Sequence, residues 1–451
     1  MRQQSQLAKL GLFDAKVPRY TSYPTAPQFH NDVDPARFSD WISKIKPHSS
    51  ISLYIHVPFC RRLCWFCACR TQGTQSDSPV RAYLKVLKTE IEMLGRILPE
   101  GVTLSRLHWG GGTPTLLAPD MMAELAAAVA DIAPFSPGAE FSVEIDPNEI
   151  DEPRLDALAA AGMNRASVGV QDFDAEIQKT IGRIQSYEIT RDAIEMIRAR
   201  GIHSLNADIL YGLPHQTQER MTQSVQKLLS LNPDRVALYG YAHVPWMAKR
   251  QQLIPSEALP TPQERLALYE TARKLFLWDQ YNEIGIDHFA TPSDGLTTAQ
   301  KLGQLKRNFQ GYTDDQSEVL IGLGASSISR FPQGYAQNAG ATSVHTKAIR
   351  AGVYSTARGH VFQGEDKLRA RLIEALMCDF RIESAEILAE FDISAADLHA
   401  MFQTAATQFP DMLQILPDRL YIPEHARPLT RMIARCFDAY DLSKAGHSSA
   451  I

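Results

Sequence analysis

Long hydrophobic runs are absent from this chain. No apolar stretch reaches the roughly 20 residues that a bilayer-spanning helix needs, so no membrane span is expected. The N-terminus, Met1-Arg-Gln-Gln-Ser-Gln-Leu7, lacks the apolar centre of a secretory signal, and a soluble cytoplasmic protein is the expectation. Excess charge of one sign is also missing. Lys and Arg number 46 against 51 Asp and Glu, a net charge of −5, which gives no reason to expect nucleic acid as a partner. Solenoid-length repeats and low-complexity tracts are absent. No heptad pattern or long exposed apolar edge is visible, so a monomer is expected. Cysteine is scarce except in one place. Cys378 and Cys436 stand alone near the C-terminus and read as small apolar packing groups. What remains is a globular composition: 451 residues, 44% hydrophobic, sufficient for two or three domains and a large core.

The other four cysteines lie in one short run, Tyr54-Ile-His-Val-Pro-Phe-Cys60-Arg-Arg-Leu-Cys64-Trp-Phe-Cys67-Ala-Cys69. Thiolates this crowded repel one another and oxidise easily, so a chain seldom keeps them together without a metal. Disulfides suit the run poorly, because nothing marks an oxidising compartment. Structural zinc sites usually pair two CxxC knuckles far apart in sequence, and CxC is a poor tetrahedral chelate. Iron–sulfur cubanes take closely spaced cysteines and fit better. The CxxxCxxC triplet Cys60, Cys64, Cys67 resembles that of the radical S-adenosylmethionine (SAM) enzymes. That resemblance implies a [4Fe–4S] cluster on three thiolates, with the fourth iron open to the amino and carboxylate groups of SAM. It also implies reductive cleavage of the sulfonium to a 5′-deoxyadenosyl radical. Phe66, just before the third cysteine, is typical of the same enzymes. Its plainer role, shared with Trp65, is loop packing.

Before this run, residues 17–25 (Val-Pro-Arg-Tyr-Thr-Ser-Tyr-Pro-Thr) read as an extended arm whose tyrosines would gain by covering something apolar. A helix is expected near 35–45. From residue 51, short β-rich runs alternate with longer helical patterns. The spacing predicts strands at 52–57, 105–109, 141–145, 165–170, 204–210, 235–241 and 284–288, with helices at 80–98, 119–132, 187–200, 216–231 and 262–278. Repeated βα units point to an α/β fold with a parallel sheet, closed partly or fully into a (β/α) barrel. Chemistry then collects at the C-terminal ends of the strands. The second strand ends in Trp109-Gly-Gly-Gly-Thr-Pro-Thr115, where glycines let backbone approach a ligand, although a tight strand-to-helix turn explains them as well. The third carries Glu144-Ile-Asp146, the fourth Gln171-Asp172, the fifth Asn206-Ala-Asp208, and the sixth Tyr241-Ala242-His243. Arg183 lies between the fourth and fifth. A single such residue commonly caps or faces solvent. Their recurrence on successive strand ends is the informative feature.

Eight segments occur in one order: Arg19-Tyr-Thr-Ser-Tyr-Pro-Thr25, the CxxxCxxCxC loop, His108-Trp-Gly-Gly-Gly-Thr-Pro-Thr115, Val143-Glu-Ile-Asp-Pro147, Gly169-Val-Gln-Asp-Phe173, Asp208-Ile-Leu-Tyr-Gly-Leu-Pro214, Asp287-His-Phe-Ala290 and Arg307-Asn-Phe-Gln-Gly-Tyr-Thr313. Together they resemble the oxygen-independent coproporphyrinogen III oxidases (dehydrogenases) of haem biosynthesis, from about residue 17 to Tyr440. The resemblance implies two SAM molecules. It assigns Tyr54, Gly111, Glu144 and Ile328 to the cluster-bound SAM, and Phe66, Gly112, Thr113, Gln171, Arg183, Asp208 and Ala242 to the second. It leaves Cys69 off the cluster with an open role. Ala68 stands where glycine is usual in the CxC. The implied reaction is oxidative decarboxylation of two propionates of coproporphyrinogen III to vinyl groups, giving protoporphyrinogen IX, with an electron donor for the cluster and a terminal electron acceptor as further partners. Arg19 and Arg307, with Tyr20 and Tyr312 beside them, are candidate partners for the substrate's carboxylates. His56 is expected either beside the cluster or as a satisfied core histidine.

From about residue 360 the pattern becomes mainly helical: an amphipathic helix at 365–380, shorter helices at 384–391 and 395–402, a hairpin at 413–422 around Pro417-Asp418, and a last helix at 429–440. This resembles a winged-helix module without a basic recognition helix, and a lid over the barrel is the expectation. The domain division expected is 1–50 (arm), 51–300 (radical SAM barrel), 301–359 (barrel extension) and 360–451 (C-terminal lid). Two other readings remain: a haem chaperone of the same superfamily, and an anaerobic haem-degrading radical SAM methyltransferase. The chaperones usually lack the Arg-Tyr-Thr-Ser-Tyr-Pro arm and the fourth cysteine, both present here. The methyltransferase would bind haem rather than a porphyrinogen.

Overall fold

A computed structural model describes residues 5–441 and 449–451. Its centre is a sheet of twelve strands, labelled here in chain order. Six follow the predicted beat: β1 (Ser50–Val57), β2 (Thr103–Gly111), β3 (Phe135–Ile145), β4 (Arg165–Gln171), β5 (Ser204–Tyr211) and β6 (Arg235–Gly240). The others are β7 (Asn282–Ile284), β8 (His288–Ala290), β9 (Leu320–Leu323), β10 (Ile328–Phe331), β11 (Gly334–Asn338) and β12 (Thr356–Val361). The spatial order is β12-β11-β10-β9-β1-β2-β3-β4-β5-β6-β8-β7, with β9 and β1 to β6 mutually parallel. The two ends of this order do not pair, so the barrel is partial. The predicted strand at 284–288 is corrected: Gly285, at φ 54°, turns the chain there, and β7 and β8 form an antiparallel hairpin on either side of it. The four strands β9 to β12 escaped the βα pattern because β9, β10 and β11 follow one another in an antiparallel run with no helices between them, and a single helix, Thr342–Arg350, separates β11 from β12.

The crossing helices are α1 (Ser78–Gly95), α2 (Pro119–Ile132), α3 (Glu152–Ala160), α4 (Tyr187–Arg198), α5 (Gln218–Leu229) and α6 (Pro262–Trp278). Ser186, Thr217 and Thr261 each accept a hydrogen bond from a first-turn amide and start α4, α5 and α6. Glu264 completes a capping box with Thr261. Only α3 was not expected: its Ala-rich sequence offers just Leu155 and Leu158 as large buried side chains, too few for a visible stripe.

Strand pleating sorts the side chains. In β1, Ile51, Leu53, Ile55 and Val57 are buried in the main core with Leu107, Trp109, Val143 and Val168 of neighbouring strands. The alternate set, Ser52, Tyr54, Arg106, His108, Glu140, Ser142, Glu144, Arg165, Ser167, Asn206 and Asp208, lines the barrel interior. Each strand therefore pairs an apolar face under the helices with a polar face towards the cavity.

The lower part of that interior is an ionic layer. Arg106 pairs with Glu140 (2.7 Å) and Asp314 (2.6 Å), Arg165 with Glu140 (2.7 Å), and Arg235 with Asp294 (2.6 Å). Burial opposes ionisation of Glu140, but Arg165, Arg106 and Arg235 outweigh it and hold the carboxyl down to about 2 against an ordinary 4.5. A depressed carboxylate contributes stability above its unfolded value and loses it as pH falls through its folded value. This contribution, at most about 3 kcal/mol, is expected to vanish between about pH 4.5 and 2. Urea unfolding across that window should show Glu140→Gln with a flatter acid limb than the wild type. Parallel curves for the two proteins would remove Glu140 from the acid response.

The arm packs where its tyrosines predicted. Leu12, Val17, Tyr20 and Tyr23 share a hydrophobic cluster with Leu372, Leu376, Phe402 and Ile433 of the C-terminal helices. Tyr20 donates to Asp438 (3.0 Å), and Tyr23 accepts from the Ala439 amide (2.9 Å). Tyr20 is thus committed to Asp438 within this cluster. The expected hairpin is present as Gln414–Ile415 against Arg419–Tyr421, with Arg381–Glu383 as an unforeseen third strand. The last helix is α-helical only over Thr430–Ala434 and continues as a 3-10 turn at Arg435–Phe437. Cys378 is buried among Ile284, Leu296 and Tyr312, and Cys436 is half-buried.

Candidate active site

A cavity of about 790 Å³ runs up the barrel interior from the ionic layer to the strand ends. Its wall includes eight of the residues expected to meet SAM: Tyr54, Phe66, Gly111, Glu144, Gln171, Asp208, Ala242 and Ile328. Cys67 and Cys69 line it as well. Gly112, Thr113 and Arg183 stand behind this wall rather than on it.

The cysteine loop leaves β1 and is pinned on both sides. Trp65 donates its amide to Ile181 O (2.9 Å), and Gln72 donates to Pro58 O (2.8 Å). Cys60, Cys64 and Cys67 are all free thiols. Burial pushes Cys60 up to about 11, and the neighbouring Cys67 and Cys64 add to the rise. Burial also raises Cys64, with the Arg183 guanidinium pulling the other way. Cys69 hydrogen-bonds Cys67, lowering the Cys67 thiol and raising its own. Cys69 thus acts on a thiol of the triplet while lying next to it in the chain. Among the described residues no three His, Cys, Asp or Glu side chains converge on the position of a single ion.

Arg183 links the loop to the strand ends. Its guanidinium donates to Cys64 Sγ (3.6 Å), Asp146 Oδ2 (3.3 Å) and Gly169 O (2.9 Å). Its Nε is buried and makes no hydrogen bond in the protein. Glu144 accepts from the Gly111 amide (3.0 Å) and from His108 Nε2 (3.3 Å). Burial opposes its charge, but these donors keep the carboxyl below its ordinary value. Asp208 is different: burial dominates and lifts it to about 6, with Asn206 as its hydrogen-bond donor (2.9 Å). Gln171 holds φ at 70°, a left-handed conformation that a non-glycine residue adopts at some cost and that is common at functional sites.

The glycine run is a cradle. Gly111 has φ 116°, and a Cβ there would lie 2.6 Å from the His56 ring. A Cβ on Gly112 would lie 2.5 Å from Phe59 O, a main-chain atom that cannot swing aside. Gly112 and Thr113 donate their amides to Val57 O and Phe59 O (both 2.8 Å), so this run is stitched to the base of the cysteine loop. His56 accepts or donates between Tyr54 Oη (3.0 Å) and Arg70 O (3.3 Å), and burial pushes its pKa down. It is a satisfied core histidine that ties down the end of the loop.

The chain matches the radical SAM superfamily model over residues 54–228. It is 66% identical to the oxygen-independent coproporphyrinogen III oxidase of Paracoccus denitrificans, with 100% of both chains covered. It is 60% identical to the Cereibacter sphaeroides protein of the same name, covering 97% of this chain and 98% of that one. The solved structure of coproporphyrinogen III oxidase from Escherichia coli, described as a radical SAM enzyme, superposes with a TM-score of 0.89 at 34% identity, covering 95% of this chain and all of the other. The chain belongs to the oxygen-independent coproporphyrinogen III oxidase family.

Members of this radical SAM family carry an iron–sulfur cluster and SAM, and the residues here fit both. Three free thiols share one loop, an unpartnered buried guanidinium nitrogen stands beside them, and the glycine run leaves room that side chains would fill. The sequence reading missed Gln251, which is completely buried and donates to Phe66 O (2.7 Å) and Ala242 O (3.0 Å). It joins two walls of the cavity from a loop with no motif of its own. Glu90 was missed too: it accepts from the Gly324 amide (2.7 Å) and Asn338 (3.0 Å) and so steadies the turn that leads to Ile328. A buried acid inside an amphipathic helix was the one available signal.

The cradle makes a prediction. Gly112→Ala should force the strand end away from Phe59 and raise the apparent KM for SAM at least about tenfold, with the fold intact. An unchanged KM for SAM would show that this backbone approach is not used.

Proposed function

We propose that the protein is a SAM-dependent coproporphyrinogen III dehydrogenase that converts two propionate side chains to vinyl groups, yielding protoporphyrinogen IX. The observation that carries this reading is the meeting of scattered residues, from Tyr54 to Ile328, on one cavity beside a three-thiol loop. In the proposed site, Cys60, Cys64 and Cys67 hold a [4Fe–4S] cluster, and two SAM molecules share the cavity. Tyr54, Gly111, Glu144 and Ile328 contact the first. Phe66, Gly112, Thr113, Gln171, Arg183, Asp208 and Ala242 position the second, with Gly112, Thr113 and Arg183 acting from behind the wall. Bound there, the cluster and SAM supply one-electron cleavage of a sulfonium, the source of a hydrogen-abstracting radical. The substrate's own change is an oxidative decarboxylation: a propionate β-carbon gives up a hydrogen atom, then CO₂ and one electron leave, and a vinyl group remains.

The chain's residues bind, orient and exclude water. Glu144, kept ionised by His108 and the Gly111 amide, offers carboxylate oxygens to ribose hydroxyls. Arg183 keeps positive charge beside the thiol loop. The division into arm, barrel, extension and lid (1–50, 51–300, 301–359, 360–451), a cytoplasmic location and a monomeric state belong to the same proposal, as do a separate electron donor and a terminal electron acceptor. No helix among the described residues is long and apolar enough to cross a membrane.

The test is anaerobic. The protein is reconstituted with iron and sulfide, then given SAM, a low-potential reductant and coproporphyrinogen III. Formation of 5′-deoxyadenosine together with the divinyl product is the expected result. SAM cleavage with intact propionates and tight haem binding would transfer the chain to the chaperone or haem-degrading reading.

A further inference from the structure

The turn that joins β9 to β10 spans residues 324–327 and delivers Ile328, the first residue of β10. Ser326, Ser327 and Ile328 line the SAM-lined cavity. The backbone here is unusual. Gly324 has φ 92° and Ser326 φ 66°, both in the left-handed region. A Cβ on Gly324 would lie 2.6 Å from His56 O and 2.7 Å from Tyr83 Oη. The turn thus presses on the end of β1, the strand that carries Tyr54 and leads into the cysteine loop, with only hydrogen at the point of contact.

Two buried residues of α1, Tyr83 and Glu90, hold this contact from behind. They lie seven positions apart, on one face of the helix. Tyr83 Oη accepts from the Ala325 amide (2.8 Å) and donates to His56 O (3.1 Å), so one hydroxyl ties the turn to β1. Its ring packs edge-on against Phe59, with 5.5 Å between centres, and Phe59 is the residue before Cys60. Glu90 accepts from the Gly324 amide (2.7 Å) on one oxygen and from Asn338 Nδ2 (3.0 Å) on the other. Asn338 donates to Gly324 O as well (3.0 Å). His345, on the helix Thr342–Arg350, stands 3.5 Å from Glu90, and its other ring nitrogen hydrogen-bonds Ser355 (2.7 Å). Burial pushes the Glu90 carboxyl up to about 8, with the Gly324 amide and Asn338 pulling the other way. A carboxyl group in the core is costly. Its helix neighbours Leu87, Ile91 and Leu94 belong to the main apolar core, so the acid stands where hydrophobic packing alone would favour another such side chain. What it supplies is an acceptor for the buried Gly324 amide.

We infer that Tyr83 and Glu90 are positioning residues for the cluster-bound SAM: acting through the 324–327 turn, they set where Ile328 stands relative to the end of β1. The inference rests on the SAM site proposed above and adds to it two residues that are not part of the cavity wall. A turn with two left-handed residues, released from α1, would sample other conformations. SAM would then bind only the fraction of molecules in which the turn is correctly formed, and the apparent affinity would fall in proportion to that fraction. Holding the turn in place beforehand removes that cost. The effect is confined to SAM, because the turn contributes Ser326, Ser327 and Ile328 to one wall of the cavity and leaves the other walls as they are.

The experiment compares reconstituted wild type with Tyr83→Phe, Glu90→Leu and Glu90→Gln. SAM is titrated calorimetrically into each protein without reductant, so that binding is read apart from turnover. KM values for SAM and for coproporphyrinogen III, the iron–sulfur absorbance and the thermal midpoint are then measured. The expected result is a SAM Kd and a SAM KM raised at least about fivefold in Tyr83→Phe and in Glu90→Leu, with the KM for coproporphyrinogen III and the iron–sulfur absorbance unchanged. Glu90→Gln, which still offers the Gly324 amide an acceptor, should recover most of the affinity. Tyr83→Phe keeps the ring against Phe59 and serves if Glu90→Leu does not fold. A wild-type SAM Kd in both Tyr83→Phe and Glu90→Leu, with only the thermal midpoint lowered, would overturn the inference and leave these residues a purely structural part. An equal rise in both KM values would overturn it too, as a general loosening of the barrel. If the wild type itself binds no SAM, the proposed SAM site falls. If the wild type binds SAM and the variants bind it equally well, only the positioning role falls.

Discussion

Cys64→Ser is expected to abolish turnover completely. The reconstituted variant should show iron–sulfur absorbance reduced to that of unreconstituted protein, with both 5′-deoxyadenosine and divinyl product at the level of a protein-free control. The physical reason is the chelate. A cubane held by three thiolates in one loop loses a corner ligand, and a serine alkoxide is a harder, more basic donor that iron–sulfur chemistry seldom uses. Cys64 is also the thiol that Arg183 addresses at 3.6 Å, so its loss disconnects the loop from the carboxylates at the strand ends. Cys69→Ser provides the contrast. Cys69 hydrogen-bonds Cys67 and lines the cavity, yet it lies outside the CxxxCxxC triplet, so the cluster spectrum should survive this substitution. If Cys64→Ser assembled a cluster and cleaved SAM at the wild-type rate, the three-thiol assignment would have to be abandoned.

The second large effect is on stability. Asp287 receives two hydrogen bonds from Arg307 (3.1 and 3.3 Å) and lies 2.7 Å from His288 Nδ1. Arg307 is buried, with its guanidinium 4.4 Å from the Tyr312 ring centre. Burial opposes ionisation of Asp287, but Arg307 and then His288 reverse this and hold the carboxyl far below the usual carboxylate range. Asp287→Ala leaves a buried guanidinium without its counter-charge. The expected loss of unfolding free energy is roughly 3–5 kcal/mol, read by anaerobic chemical denaturation. The double variant Asp287→Ala/Arg307→Met should recover most of that loss, because an apolar side chain of similar length replaces both charges. A double variant no more stable than the single one would show that the cost comes from packing rather than from the stranded cation. The pairing also bears on the expectation for Arg307, whose charge is committed to Asp287.

The sequence by itself determined the features that are local in the chain. The cysteine triplet is legible because its three thiols lie within one short loop and their spacing is written directly in the chain. Strands β1 to β6 and the long crossing helices are legible because alternation with period two and stripes with period 3.6 are written in short windows. The arm's tyrosines announced their burial because aromatic surface is costly to leave in water. Family resemblance extended this to Glu144, Asp208 and Ile328, which spacing could not join.

Tertiary structure decided everything that depends on which charge meets which. Arg106 meets Asp314 across more than half of the barrel's sequence, and Arg235 meets Asp294 only after the β7–β8 hairpin has turned. Gln251 reaches Phe66 from a loop without a pattern. Arg19, Arg265 and Arg307 look alike in the sequence and line one cavity, yet Arg307 is held by Asp287 while Arg19 and Arg265 donate to backbone oxygens of Gly240 and Gly212. A residue's type states that it carries a charge. The distance to its nearest counter-charge is set by the folded chain, and that distance decides whether the charge holds the protein together or remains available to a ligand.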